Sequence, residues 1–154
     1  MSLQSRVTVV RPYHSRIRDK VFRRLEQAGL DMDQATIIAS ESSDDEVLRA
    51  LGDERPQPDV LLIPFNAVRA RDGDTSHGLE LALRIDHELP QLTAPILMPL
   101  STTASAAAEL IFAAGIDGTP LPEELKRRIL LLREDELHGL ALVTSIRQHV
   151  SGER

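Results

Sequence analysis

The stretch Pro58-Asp59-Val60-Leu61-Leu62-Ile63-Pro64-Phe65 carries an apolar run with no alternation in it. A strand with one wet face alternates apolar and polar side chains, whereas a strand covered on both faces does not. The run therefore predicts a central strand of a parallel sheet between two helical layers, a commitment that the rest of the chain must satisfy. It ends on a proline, which fixes φ and removes a backbone donor where a strand would otherwise continue.

The flanking sequence alternates short β-branched runs with helical periodicity. Val7-Thr8-Val9-Val10 reads as the first strand, and Ile17, Val21, Leu25 and Ala28 repeat on one helical face before Gly29. Ala35 to Ala39 reads as a second strand, followed by Ser43 and Glu46 in capping-box spacing ahead of Val47, Leu48 and Leu51. After the opening stretch come a polar loop from Val68 to Ser76, a helix bearing Leu79, Ala82, Ile85 and Leu89, and a fourth strand from Pro95 to Leu100. A fourth helix bears Ala107, Leu110, Ile111 and Ala114 and stops at Gly115. The spacing places a fifth strand near Ile116 to Thr119 and a helix starting at Pro122 with Leu125, Ile129 and Leu132 on one side. These units predict an α/β fold: a doubly wound five-stranded parallel sheet, flavodoxin-like, in the order 2-1-3-4-5. The expected boundaries are a tail over 1–5, the domain over 6–133 and a C-terminal helical extension over 134–154.

The extension carries an apolar stripe, Leu137, Leu140, Val143 (or Leu142), Ile146 and Val150, with Gly139 able to bend it or divide it into two shorter helices. A lone stripe needs cover, so a partner, in the form of a homodimer, is the expectation over packing on its own domain.

Size and charge narrow the function. A chain of 154 residues buries one core. Its net charge of −6, with one Tyr, three Phe and no Trp, disfavours nucleic acid on both electrostatic and stacking grounds. No cysteine is present for thiolate chemistry, and no apolar run reaches membrane-spanning length. With no leader pattern read at the start, the expectation is a cytoplasmic protein that binds neither membrane nor nucleic acid.

Across residues 6–133 the sequence resembles the receiver domains of two-component response regulators. Gln27-Ala28-Gly29 is similar to the end of that family's first helix, Pro58-Asp59-Val60-Leu61-Leu62 to the start of its third strand, and Gly78-Leu79-Glu80-Leu81 to the start of its third helix. Ala113-Ala114-Gly115-Ile116-Asp117-Gly118 resembles its turn after helix four, and Pro122-Glu123-Glu124-Leu125 the start of its last helix. The resemblance implies a phosphorelay fold whose chemistry needs two acids after strand one for Mg²⁺, a phosphoacceptor aspartate after strand three, a hydroxyl after strand four and a lysine after strand five. Here Arg11-Pro12-Tyr13 follow strand one, Pro64 stands at the phosphoacceptor position, Leu100 or Ser101 at the hydroxyl position and Pro120 at the lysine position. Neither Mg²⁺, which demands hard oxygen ligands, nor an aspartyl-phosphate has its residues at this place. The resemblance also puts Gly118 at the family's aromatic switch position.

The remaining constellations are weaker. Arg11, His14, Ser15, Arg16 and Arg18 cluster where strand one meets helix one, as an anion or nucleotide site or as solvated ion pairs. Asp72 and Asp74 are displaced acceptors or an exposed turn. His14, His77, His87, His138 and His149 show no metal-binding spacing, and no Gly-x-Ser-x-Gly elbow is present. The expectation is a pseudo-receiver: no enzyme, no metal, no cofactor, docking a signalling protein through Leu110, Ile111 and Leu132 and a second copy through Leu140, Val143 and Ile146.

Overall fold

The computed structural model describes residues 6–10, 15–38, 43–54, 57–65, 78–100, 112–115, 119–133 and 140–151, with side chains at all of these except 15–18, 140–142 and 151. Five strands, β1 (Val7–Val10), β2 (Thr36–Ile38), β3 (Val60–Leu62), β4 (Ile96–Leu100) and β5 (Ile129–Arg133), form one parallel sheet in the order β2-β1-β3-β4-β5. The helices described from end to end are α1 (Ser15–Gln27), α2 (Asp44–Asp53), α3 (Gly78–Glu88), α4 (Glu123–Arg128) and α5 (Leu140–Ser151), with a 3₁₀ turn at Met32–Gln34; residues 112–114 are also helical and stop at Gly115, φ 94°. The expected doubly wound topology is what forms, with β3 at the centre.

Strand alternation divides the core into two layers. Leu61, Ile63 and Phe65 point to one face, where Val47, Leu48 and Leu51 of α2, Leu79, Leu81, Ala82 and Ile85 of α3 and Leu125 of α4 cover them. Val60 and Leu62 point to the other, against Val21, Leu25 and Ala28 at the end of α1 and Val143 and Ile146 of α5. This is why the β3 run has no polar member: both of its faces are dry. Ser43 caps α2 through its hydroxyl, which accepts from Glu46 N at 3.2 Å, the expected cap. Gly29 takes φ 102°, in the left-handed region that ends α1.

The carboxyl end of the chain departs from expectation. The fifth strand is Ile129–Arg133, paired over its whole length with β4 from Ile96↔Ile129 to Leu100↔Arg133; Ile116 to Gly118 lie outside the described residues, and Thr119 and Pro120 are exposed and precede α4. Leu125, Ile129 and Leu132 do fall at helical spacing, but Ile129 to Leu132 is also an unbroken apolar run, and the open edge of β4 offers it a backbone ladder. Tertiary pairing overrides the local periodicity. The helix stops at Arg128, which is tied elsewhere: its Nε and Nη2 donate to Ala94 O at 3.1 and 3.0 Å, Nη2 to Leu92 O at 2.9 Å, and Nη1 meets Asp86 at 3.2 Å. Leu132 is therefore a core residue of a strand, 1% exposed, and can only underlie a docking face rather than contact a partner. Pro120 leaves the carboxyl end of the sheet, and the switch position assigned to Gly118 shifts with the strand.

The helix read as an extension is a layer of the sandwich. Val143 is 7% and Ile146 0% exposed, and Arg147 donates to Ala28 O and Gln27 O, each at 3.3 Å, at the end of α1. The stripe that called for a second copy is covered by this chain's own α1 and sheet at these two positions; the Leu140 side chain, Leu110 and Ile111 lie outside what is described. Replacing Ile146 with Ala should cost about 2–5 kcal/mol in urea unfolding, the range for emptying a buried aliphatic site. A near-zero cost with a change of oligomeric state would instead place α5 at an interface.

Candidate functional site

In doubly wound sheets ligands gather beyond the carboxyl ends of the central strands. On the three central strands, the described part of that crown is made by Val10 of β1, Ile63, Pro64 and Phe65 after β3, and Pro99 and Leu100 of β4. All six are buried. Each of the six has an apolar side chain, so on these central strands the described surface offers no nucleophile, acid or metal-binding oxygen beyond backbone carbonyls; the charged group described at the rim is Arg133, half-buried at the end of β5 opposite Leu100.

The backbone shows how prolines come to stand there. Leu61 N, Ile63 N and Phe65 N donate to Pro95 O, Leu97 O and Pro99 O at 2.9, 2.9 and 3.0 Å, so the odd-numbered residues of this segment face β4. Val60 N donates the other way, to Arg6 O at 3.1 Å, so the even-numbered residues face β1. By this alternation the Pro64 nitrogen faces β1, past the last pair of that ladder, Val9↔Leu62. Its missing N–H breaks no bond of that register. Pro99 has the complementary defect: its carbonyl accepts from Phe65, but it has no N–H to return toward β3, and the β3–β4 register ends at Leu62↔Leu97. Two prolines on adjacent strands thus remove N–H donors on both sides of the position where the resemblance calls for an aspartate, while the Phe65 N to Pro99 O bond carries the β3–β4 contact past it.

Helix α3 is latched onto the same place. Gly78 N donates to Phe65 O at 2.7 Å, and a Cβ built on Gly78 would lie 2.5 Å from Pro64 O and 3.2 Å from Phe65 Cα. Only glycine allows the first turn of α3 to approach the end of β3 this closely. The sequence displays Gly78 immediately ahead of the Leu79 periodicity, which could have flagged a close approach, but a helix start alone does not say which backbone is approached.

Of the positions singled out from sequence, the structure brings Pro64 and Leu100 together at the crown and removes Pro120 from it. Ser15 and Arg16 open α1, with four residues between them and the end of β1, and their side chains are not described. Arg11, Pro12, Tyr13, His14, Ser101, Asp72 and Asp74 lie outside the described residues. Among the described residues no group of three His, Asp or Glu side chains is placed to hold a metal ion, and no helix is long and apolar enough to cross a membrane.

The perturbed titratable groups sit away from the crown. Burial pulls the Arg128 guanidinium below its ordinary range while Asp86 opposes the shift. The partner of this node is His149, whose Nε2 lies 2.6 Å from Arg128 O and whose pKa is lowered from 6.5, first by burial and against the backbone hydrogen bond. With an N–H donor on Nε2, the imidazole ties the end of α5 to the start of β5. On the outer surface, Arg84 bridges Asp45 of α2 and Glu88 of α3, both at 2.8 Å, an exposed network whose contribution to stability is small.

The chain is similar in fold to a sensor protein from Polaromonas sp. JS666, with a TM-score of 0.59 and 16% identity over 99% of this chain and 100% of that one. It is similar also to NtrX from Brucella abortus, at a TM-score of 0.58 and 16% identity over 98% of this chain. The REC domain of AraT, a response regulator from Geobacillus stearothermophilus, matches at 0.54 and 13% identity, over 98% of each chain. The chain has the receiver fold. At these identities the likeness concerns the fold alone, and the chain spans only 28% of the NtrX structure. No protein-family model and no curated protein matches the sequence.

Two outcomes follow from this geometry. Gly78→Ala should destabilise the fold by about 1–3 kcal/mol, since the added methyl meets backbone rather than a yielding side chain; chemical denaturation reads it. For His149 the sign is set by a folded pKa below the unfolded one: its contribution is complete above pH 6.5 and is lost as pH falls, because the unfolded chain takes up the proton first. Thermal unfolding between pH 7.5 and 5.5 should therefore show a steeper fall for the native chain than for His149→Gln.

Proposed function

We propose that this chain is a pseudo-receiver: a receiver-fold domain of two-component signalling that works by protein contact and does not accept phosphate at the usual place. The observation that carries the reading is the Ile63-Pro64-Phe65 end of β3, buried and apolar, with the first turn of α3 seated on Pro64 O. Phosphoryl transfer to a carboxylate needs an in-line oxygen nucleophile and a metal clamp, and Pro64 supplies neither. Of the described acids that precede Pro64, Asp59 and Asp53 do not substitute. Asp59 is engaged at the opposite end of the sheet, accepting from Arg6 N at 2.9 Å, and Asp53 closes α2.

In this reading the domain is not an enzyme, and its output is a fixed surface. The Gly78 contact and the prolines at 64 and 99 favour one arrangement of the described crown, which carries no carboxylate on its central strands. A homodimer through α5 has no place in it, because Val143 and Ile146 are already used in the core.

Incubation with acetyl phosphate and Mg²⁺, followed by intact mass measurement, is expected to leave the mass unchanged. A stoichiometric acid-labile gain of one phosphoryl group, abolished by Asp72→Asn or Asp74→Asn, would overturn the reading.

A further inference from the structure

The sheet has two edges, and they are treated differently. At the β5 edge, Ile129 and Leu132 are buried, while Leu130, Leu131 and the terminal Arg133 are half-buried. At the β2 edge, Ile37 is 55% exposed, and among the described residues it is the large apolar side chain left in solvent. Its register partner is Val9, which is 0% exposed, so Ile37 extends the α1-side core layer past the limit of its helical cover. Edge strands are ordinarily blunted by lysine, proline or an inward charge, because their free N–H and C=O groups recruit further strands. Ala35-Thr36-Ile37-Ile38 has no lysine, proline or charge, and its only such device is its length of three strand residues.

Two described acids stand at the amino end of this edge. Asp31 and Asp33 are exposed and frame the 3₁₀ turn that leads directly into β2, Asp31 accepting from Asp33 N at 3.1 Å. A second copy of this chain would bring another net charge of −6 to the contact. A cationic strand would meet complementary charge and an apolar anchor together.

We propose that the open edge of β2 is a docking site for an extended, basic segment of a partner protein, which adds a sixth strand to the sheet, covers Ile37 and sets a cation near Asp31 and Asp33. Main-chain hydrogen bonds to the edge supply affinity, while Ile37 and the two aspartates supply selectivity. This deepens the protein-contact reading above and rests on it, but the two fail separately: a phosphoryl adduct ends that reading, whereas the titration below bears on this edge alone.

The test is fluorescence anisotropy with a labelled heptapeptide of alternating valine and threonine carrying lysine at both ends, against its glutamate-ended counterpart. The basic peptide is expected to bind saturably below about 1 mM, and at least about tenfold more tightly than the acidic one. Ile37→Lys and the Asp31→Asn, Asp33→Asn double variant should each weaken it by about tenfold, the latter keeping a capping acceptor at residue 31. Ile37→Thr, which preserves a β-branched side chain, should weaken it in the same direction even if Ile37→Lys fails to fold. Amide exchange at Thr36 to Ile38 should slow on binding. Absence of saturation, equal binding of the two peptides, or indifference to both Ile37 changes would each overturn the proposal, as would a concentration-dependent dimer of this chain that Ile37→Thr abolishes.

Discussion

The structure depends on a strand with no wet side. Val60, Leu61 and Leu62 lie at 0%, 0% and 3% exposure in the middle of a parallel sheet, and a parallel neighbour can be reached only by a crossover that lays a helix on one face or the other. Covering β3 twice therefore requires helices from both halves of the chain: α2 and α3 on one side, and α1 with α5 on the other. The participation of α5 follows from this need. Without Val143 and Ile146, the layer holding Leu62, Leu97 and Leu132 would stand open to water beyond the reach of α1.

Polar contacts then hold the layers in register, mostly at the ends of elements where backbone groups lack partners. Arg128 joins the start of β5 to the segment between α3 and β4 by donating to two backbone carbonyls and meeting Asp86; His149 and Arg147 fix the last helix to β5 and to the end of α1. Thr8, only 1% exposed in β1, directs its hydroxyl toward the two carboxylate oxygens of Glu54 at 2.8 and 3.0 Å, just past the end of α2. None of these groups reaches the carboxyl crown, where the described surface is closed by prolines, Phe65 and a glycine contact.

The same residues show how far local reading carries. The β3 run, the Ser43 cap, the Gly29 stop and the order of the first four strands could be read directly, because each is a short-range preference that tertiary packing reinforces. Strand five could not. Leu125, Ile129 and Leu132 satisfy a helical period, and the unbroken Ile129 to Leu132 run satisfies a buried strand equally well. That choice fell to the free edge of β4, a partner about thirty residues distant, as the Ile96↔Ile129 pair shows. Placing strand five near Ile116 to Thr119 put Pro120 in the pocket and the last helix outside the domain, whereas the β4 pairing moves both.

By itself the sequence determined the class of fold, the absence of a carboxylate at residue 64 and the absence of thiol chemistry, since these follow from residue identity and from periodicity along one segment. Only the tertiary structure decided which run became β5, that α5 completes the core, that Gly78 sits against Pro64 O, and that Ile37 is left on an open edge. The reason is physical. Identity and period are properties of a few neighbouring residues, whereas strand pairing, burial and close approach are settled between segments that meet only when the sheet is assembled.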